Sequence, residues 1–344
     1  MSVISTSLYN KIRAFFSSRA INSIVFFLLA CCGVFLFIIM ERYARLSAVA
    51  NLVASVPWFG ICLVASFPFV VYGIAALRWK YILRGYGYAI AYKKLLRASL
   101  ESAAVSIILP SFQISGETYK AVETQKWGVS KPAAFASVFF DFFIVFCVNT
   151  IGGFALLAYI IIKGWRGISL VSGIGTVVFL IVGILLARMV VKPGWFTRMM
   201  KKSVPLDERN LESVGLFDYG ISFFMKNALR YAYIGVAISA IGFFWEVVQL
   251  SIVASFVGIG ITPLAIAVLY VVINFFNSVP VFGGIGFGEA GAFLAGASLA
   301  IPDAQSMALM ALLRLRQVVI LVVGGGSIAI SRIYKKLWPM PKTL

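Results

Sequence analysis

No histidine occurs anywhere in the 344 residues. Its absence removes the commonest metal ligand and the one side chain that ordinarily titrates near neutral pH. Neither metal-dependent hydrolysis nor histidine-based acid–base catalysis is therefore expected, and no metal site. Charge is scarce as well: Asp, Glu, Lys and Arg make up 12% of the chain, about half the share usual in soluble domains. Acidic groups are the scarcest, 12 against 30 basic ones. The four cysteines, Cys31, Cys32, Cys62 and Cys147, lie inside apolar runs. Without zinc-like spacing or loop positions suited to a disulfide, they read as packing residues. Long polar stretches are also missing. The largest polar insertion, 191–220, is too short for a catalytic domain and reads as a cytoplasmic amphipathic hairpin. No cofactor is expected, and the chain is not expected to be an enzyme.

What is present is mostly hydrocarbon. Hydrophobic residues account for 61% of the chain and aromatics for 15%, with a mean hydropathy of +0.98. This composition gives an all-α polytopic membrane protein, because a hydrocarbon core of about 30 Å is crossed by about 20 apolar residues of helix. Apolar runs of at least that length occupy 21–40, 57–77, 132–162, 168–190, 231–257 and 303–330. The first is too long for a signal-peptide core and has no clean small-residue cleavage site. It is expected to be retained as a span, with the basic segment 1–20 lying at the cytoplasmic interface before it.

Two further apolar stretches, 95–109 and 263–279, are too short to cross: at 1.5 Å per residue they rise only about 22–26 Å. Each ends at a proline, Pro110 or Pro280, followed by a turn, a Gly-Glu pair and a second short helical stretch. The two segments read LPSFQISGETYKAVETQ and VPVFGGIGFGEAGAFLAGA. Two re-entrant hairpins are expected, 95–125 and 263–298. Their tips carry Pro110, Gly116, Pro280, Gly283, Gly284, Gly286 and Gly288, and act as gates. Non-helical backbone at membrane depth is tolerated only where protein or a wet cavity satisfies it. The triplet Gly286, Gly288, Gly291 matches a dinucleotide-binding pattern, but it follows an apolar helix rather than a strand, so no nucleotide site is expected.

The order span, span, hairpin, span occurs twice, over 21–162 and 168–330. Each half crosses three times, so the second is inverted relative to the first, a plan that puts a site at mid-membrane between the repeats. Residues 331–344 form a basic cytoplasmic tail. The distribution of positive charge agrees. With the N-terminus inside, the outer segments hold only Arg42, Arg45, Lys163 and Arg166. The inner segments hold most of the rest, including the run from Arg78 to Arg97 and then Lys120, Lys126 and Lys131. The bias gives six spans with both termini inside. The net charge of +18 then reflects topology and contact with anionic inner-leaflet lipid, and no nucleic acid partner is needed to explain it.

Charges within the apolar runs carry the chemistry. Each costs about 2.5–3.5 kcal/mol at the bilayer centre. Glu117 and Glu289 either cap the half-helices they begin or serve a site. Arg314 and Arg316 fall near the middle of the last span, beyond snorkelling range, and need partners. The acids at comparable depth are Glu117, Asp141, Glu246 and Glu289, with Glu101 nearer the inner face. Asp141 and Arg314 occupy equivalent places in the two repeats. A salt bridge between them across the pseudo-twofold is expected, either structural or part of the site. Five acids against two arginines leave a surplus of negative charge. Such a cavity suits a cationic or sugar-bearing head group, or a proton or sodium ion taken up as coupling ion.

The stretch VPVFGGIGFGEAGAFLAG resembles the Pro-x-x-Gly-Gly-x-Gly-x-x-Glu-Ala signature of the lysylphosphatidylglycerol synthase transmembrane region, a flippase-like domain. The upstream LPSFQISGETYKAVETQKWGVSKPAAFASVFF is similar to that family's Pro…Gly-Glu segment and following span. The resemblance implies a multi-pass protein of a bacterial cytoplasmic (inner) membrane that moves lipids with aminoacyl- or glyco-modified head groups between leaflets. Where the family often has arginine before the glutamate, this chain has Gly288, and the arginine after the first proline is also absent. Arg314 and Arg316 stand as substitute phosphate-binding groups. The leading expectation is a flippase-like transporter of a lipid or lipid-linked glycan. Alternatives are an ion-coupled carrier of a small soluble solute, a membrane-embedded transferase acting on polyprenyl-linked sugar, and a scaffold. No sequence feature points to an oligomeric state.

Overall fold

The computed structural model describes residues 31–35, 37–39, 45–109, 114–162, 208–279 and 284–337, with a few positions between 188 and 201. The interfacial segment 1–20, nearly all of the expected span 168–190, most of 21–40, the tip residues Pro110, Pro280 and Gly283, most of the insertion before 208 and the tail beyond 337 lie outside the described residues.

Among the described residues all regular structure is helical. In chain order the helices are α1 (Leu46–Ala54), α2 (Trp58–Gly85), α3 (Tyr92–Ile108), α4 (Ile114–Gln125) and α5 (Lys131–Ile162). They continue as α6 (Glu208–Asn227), α7 (Leu229–Phe256), α8 (Pro263–Asn277), α9 (Phe287–Ser298), α10 (Asp303–Ile320), a π-helical turn (Leu321–Gly325) and α11 (Gly326–Leu337). Among the described residues, four helical stretches are long and apolar enough to cross a bilayer: Trp58–Gly85, Lys131–Gly153, Leu229–Phe256 and Asp303–Ser331. The chain is a multi-pass membrane protein. By contrast α3, α4, α8 and α9 have 17, 12, 15 and 12 residues, rises of about 18–26 Å against a hydrocarbon core near 30 Å.

Local chemistry sets several boundaries. Thr262 accepts a hydrogen bond from the Ala265 amide at 3.3 Å and Pro263 fills the first helical position, a start signal that fixes the entry to α8. At its other end, α2 does not stop at Leu77. Trp79, Ile82 and Leu83 are fully buried, so one face stays apolar for two more turns and the helix continues to Gly85. Arg78 is thereby carried into the bundle.

The long helices define a frame. Gly60 at the start of α2 packs on Phe256 at the end of α7, while Gly85 at the end of α2 packs on Phe224 and Ala228, just before α7. The two helices are therefore antiparallel. α10 also runs antiparallel to α7: Gln305 donates to the Gly258 carbonyl at 3.3 Å near one end, and Arg316 meets Glu246 at 3.2 Å further along. The chain thus enters the α3/α4 pair at the end of this frame where α7 begins. It enters α8/α9 at the end where α2 and α10 begin. The two short helix pairs are rooted at opposite ends.

One buried cluster joins Val64 and Phe67 of α2, Leu250 and Val253 of α7, Ala292 of α9 and Leu309, Met310 and Leu312 of α10. A second joins Trp79, Leu95, Ala98, Ala121, Ala134 and Val138 across α2 to α5. Large apolar side chains on the outside are left bare: Ile151, Phe244 and Val322 are 69%, 68% and 68% exposed. This inversion of the usual soluble pattern, apolar outside and charge inside, is what hydrocarbon as solvent demands.

Candidate functional site

α4 begins with Glu117 in its first turn and places Lys120 one turn later on the same face. The Lys120 ammonium donates to Glu117 Oε2 at 3.0 Å and to Asp141 Oδ2 at 2.8 Å, and lies 4.7 Å from the centre of the Trp79 ring, a cation–π contact in desolvated surroundings. Asp141 on α5 accepts from Arg78 Nε through its other oxygen at 2.6 Å, and Arg78 reaches Ser239 of α7 at 3.5 Å. This network spans α2, α4, α5 and α7. The Asp141 and Lys120 side chains are 2% and 5% exposed, whereas Glu117 is 26% exposed. Close packing of the first pair depends on Gly116, where a β-carbon would stand 2.1 Å from Ser106 Oγ and 2.4 Å from the Ser102 carbonyl oxygen.

The second pair carries Glu289 at the third position of α9. Its Oε2 accepts from the Gly286 amide at 2.8 Å, so the glutamate caps its own helix. Both its oxygens also engage Arg314: Nε to Oε1 at 2.8 Å and Nη2 to Oε2 at 2.7 Å. Arg314 further donates to the Gly284 carbonyl at 3.1 Å and to Gln317 at 2.8 Å. One guanidinium thus holds both the helix start and the turn before it. Gly286 has φ of +83°, and a β-carbon there would lie 1.8 Å from the Gly33 carbonyl oxygen. Only glycine fits, for its conformation and for the close approach. Gly288 packs beside Asn277 and Met310.

A third pair, Glu246 of α7 with Arg316 of α10, has its three contacts at 3.2 Å. Tyr270 of α8 and Tyr72 of α2 lie within electrostatic reach of both groups, and Tyr72 also lies within reach of Glu117 and Lys120. Tyr72 therefore lies within reach of the α4 charges and of the charge pair on the long helices α7 and α10. Glu101, nearer the end of the frame where α3 begins, is separate: it accepts from Arg97 at 2.8 Å, Tyr119 at 2.6 Å and Ser327 at 2.6 Å, tying α3 to α4 and α11.

Two expectations are corrected. Asp141 and Arg314 do not pair; each is matched within its own half, Asp141 by Arg78 and Lys120, Arg314 by Glu289. Nor do the interior charges among the described residues carry a surplus of negative charge. Arg78 and Lys120, read from the sequence as inner-face residues, are buried and offset Asp141 and Glu117, while Glu246 and Glu289 have one arginine each. Two signals pointed to the missed residues. Apolar Trp79, Ile82 and Leu83 follow Arg78, and Lys120 sits three residues after Glu117 on a helix. Of the two roles expected for Glu289, capping is observed, and the same carboxylate also pairs with Arg314. Among the described residues no group of histidine, cysteine, aspartate or glutamate is arranged to hold a metal ion.

A comparison with curated proteins finds no match. The family profile described as Lysylphosphatidylglycerol synthase TM region matches residues 21–325, a stretch that includes both Gly-Glu segments and all three charge clusters. The chain belongs to that family.

Proposed function

We propose that this protein is a flippase-type transporter that carries a lipid or lipid-linked amphiphile with a charged head group across a bacterial cytoplasmic membrane, without covalent chemistry. In this reading the α3/α4 and α8/α9 pairs are re-entrant gates of an inverted repeat with both termini inside. One observation carries it: two helix pairs too short to cross, rooted at opposite ends of the α2/α7 frame, each bring ionised groups into the interior, Glu117 and Lys120 from the first and Glu289 from the second. Charge inside a bilayer is costly and is retained where it serves substrate or ion passage. Half-helices meeting from opposite faces give alternating access a natural pair of moving parts. In that scheme Glu289 and Arg314 hold the tip of the second gate.

The test is reconstitution. Purified protein in liposomes with acyl-labelled fluorescent phospholipids should expose inner-leaflet label to dithionite faster than protein-free vesicles do. Glu289→Gln should reduce the rate to the protein-free level while the variant stays extractable and monodisperse. Absence of translocation for every lipid tried, or full activity of Glu289→Gln, would overturn the reading.

A further inference from the structure

The three interior charge clusters are not equivalent. In the first, both Asp141 oxygens are engaged, by Arg78 and Lys120, and the carboxylate is almost wholly enclosed. In the second, both Glu289 oxygens are engaged and Arg314 also binds Gly284 and Gln317, so any ligand entering there would have to dismantle the turn before α9. The Glu246–Arg316 pair differs. Its contacts are all 3.2 Å, at the long end for N–H···O bonds, and its carboxylate is 19% exposed, against 2% for Asp141 and 4% for Glu289. Among the described residues only the two terminal guanidinium nitrogens are used, leaving part of the five-donor fork of Arg316 unspent there. Tyr72 and Tyr270 lie within electrostatic reach of the pair, and the Tyr270 hydroxyl is hydrogen-bonded to Asn274.

Charge count narrows what fits. Arg78, Lys120, Arg314 and Arg316 balance Glu117, Asp141, Glu246 and Glu289. A head group with net charge would leave one interior group bare. A head group carrying one positive and one negative centre would not: its cation replaces Arg316 on Glu246, its anion replaces Glu246 on Arg316, and every charge stays paired. We infer that Glu246 and Arg316 form the head-group site, with Tyr72 and Tyr270 within reach of it, and that its ligand is a zwitterionic amphiphile. This rests on the transport reading for its role but concerns binding, which is measured separately.

The probes are short-chain phosphatidylethanolamine, zwitterionic, and short-chain phosphatidylglycerol, anionic, added to the purified full chain in detergent, with the thermal midpoint as readout. The first should raise the midpoint in a saturable way and the second should not. Glu246→Gln and Arg316→Gln should each weaken binding roughly 30-fold or more, and Tyr72→Phe and Tyr270→Phe about 3–10-fold. If the charge variants fail to fold, the two phenylalanine variants decide. Equal stabilisation by both lipids, no stabilisation by either, or unchanged binding in the variants overturns the assignment. Selective binding without translocation in liposomes would instead overturn the transport reading alone.

Discussion

Replacing Lys120 by methionine removes an ammonium held by two carboxylates while keeping most of the side chain's bulk. The Lys120 side chain is 5% exposed and its Nζ lies 2.8 Å from Asp141 and 3.0 Å from Glu117. Breaking a buried ion pair by deleting one partner costs about 3–5 kcal/mol, because the survivor keeps its desolvation penalty. Here the low end applies. Asp141 keeps Arg78 at 2.6 Å, and Glu117, 26% exposed, retains some solvation of its own. At about 2 °C per kcal/mol for a chain of this size, a loss near 3 kcal/mol lowers the midpoint by about 6 °C. Adding Glu117→Gln to Lys120→Met removes the stranded charge and should recover about 1–2 kcal/mol, a coupling of the size seen between contacting charges. The assay is tryptophan-fluorescence unfolding of purified protein in detergent, with all variants at one scan rate because unfolding of large chains is under kinetic control. A Lys120→Met midpoint within about 1 °C of the wild type, or a double variant less stable than the single, would refute the claim that Lys120 neutralises Glu117 and Asp141 together.

Two other outcomes follow, the first from the proposed topology with both termini inside and the second from the geometry. On a cysteine-free background, single cysteines at Ala89 and Ser130, at the root of the first short pair, should react with a membrane-impermeant maleimide only from the cytoplasmic side, whereas cysteines at Gly260 and Pro302 should react in intact cells. Labelling of all four from one side would remove the opposed-gate arrangement. Gly286→Val forces a branched side chain onto φ of +83° and against the Gly33 carbonyl, so its midpoint should fall by about 4 °C or more, given strain of about 1–3 kcal/mol plus the steric clash; Gly260→Ala, which meets nothing within 4 Å, should leave the midpoint unchanged, and equal behaviour of the two would contradict the close approach.

The membrane class, the helical content and the family were legible in the sequence, and for physical reasons. A bilayer imposes a length and an apolarity on every crossing helix, and those survive in composition and run length without knowledge of the partners. The capping role of Glu289 was equally local, since a cap is made by residues three apart. The buried acids could be located for the same reason: a carboxylate inside an apolar run stands out by its cost.

Pairing could not be read that way. Asp141 lies 21 residues from Lys120 and 63 from Arg78, and repeat symmetry pointed instead to Arg314. What decided the matter was where α2 stops and which face α4 turns inward, both set by packing of Trp79, Leu83 and Ala121 against their neighbours. Lys120 and Arg78 looked like inner-face charges because the positive-inside bias counts residues without their depth. The sequence alone determined that charge had to be buried, because solvation cost belongs to a residue and its hydrocarbon surroundings. Only the tertiary structure decided which charge met which, because a salt bridge depends on distances of a few ångströms between helices whose order along the chain does not specify their neighbours.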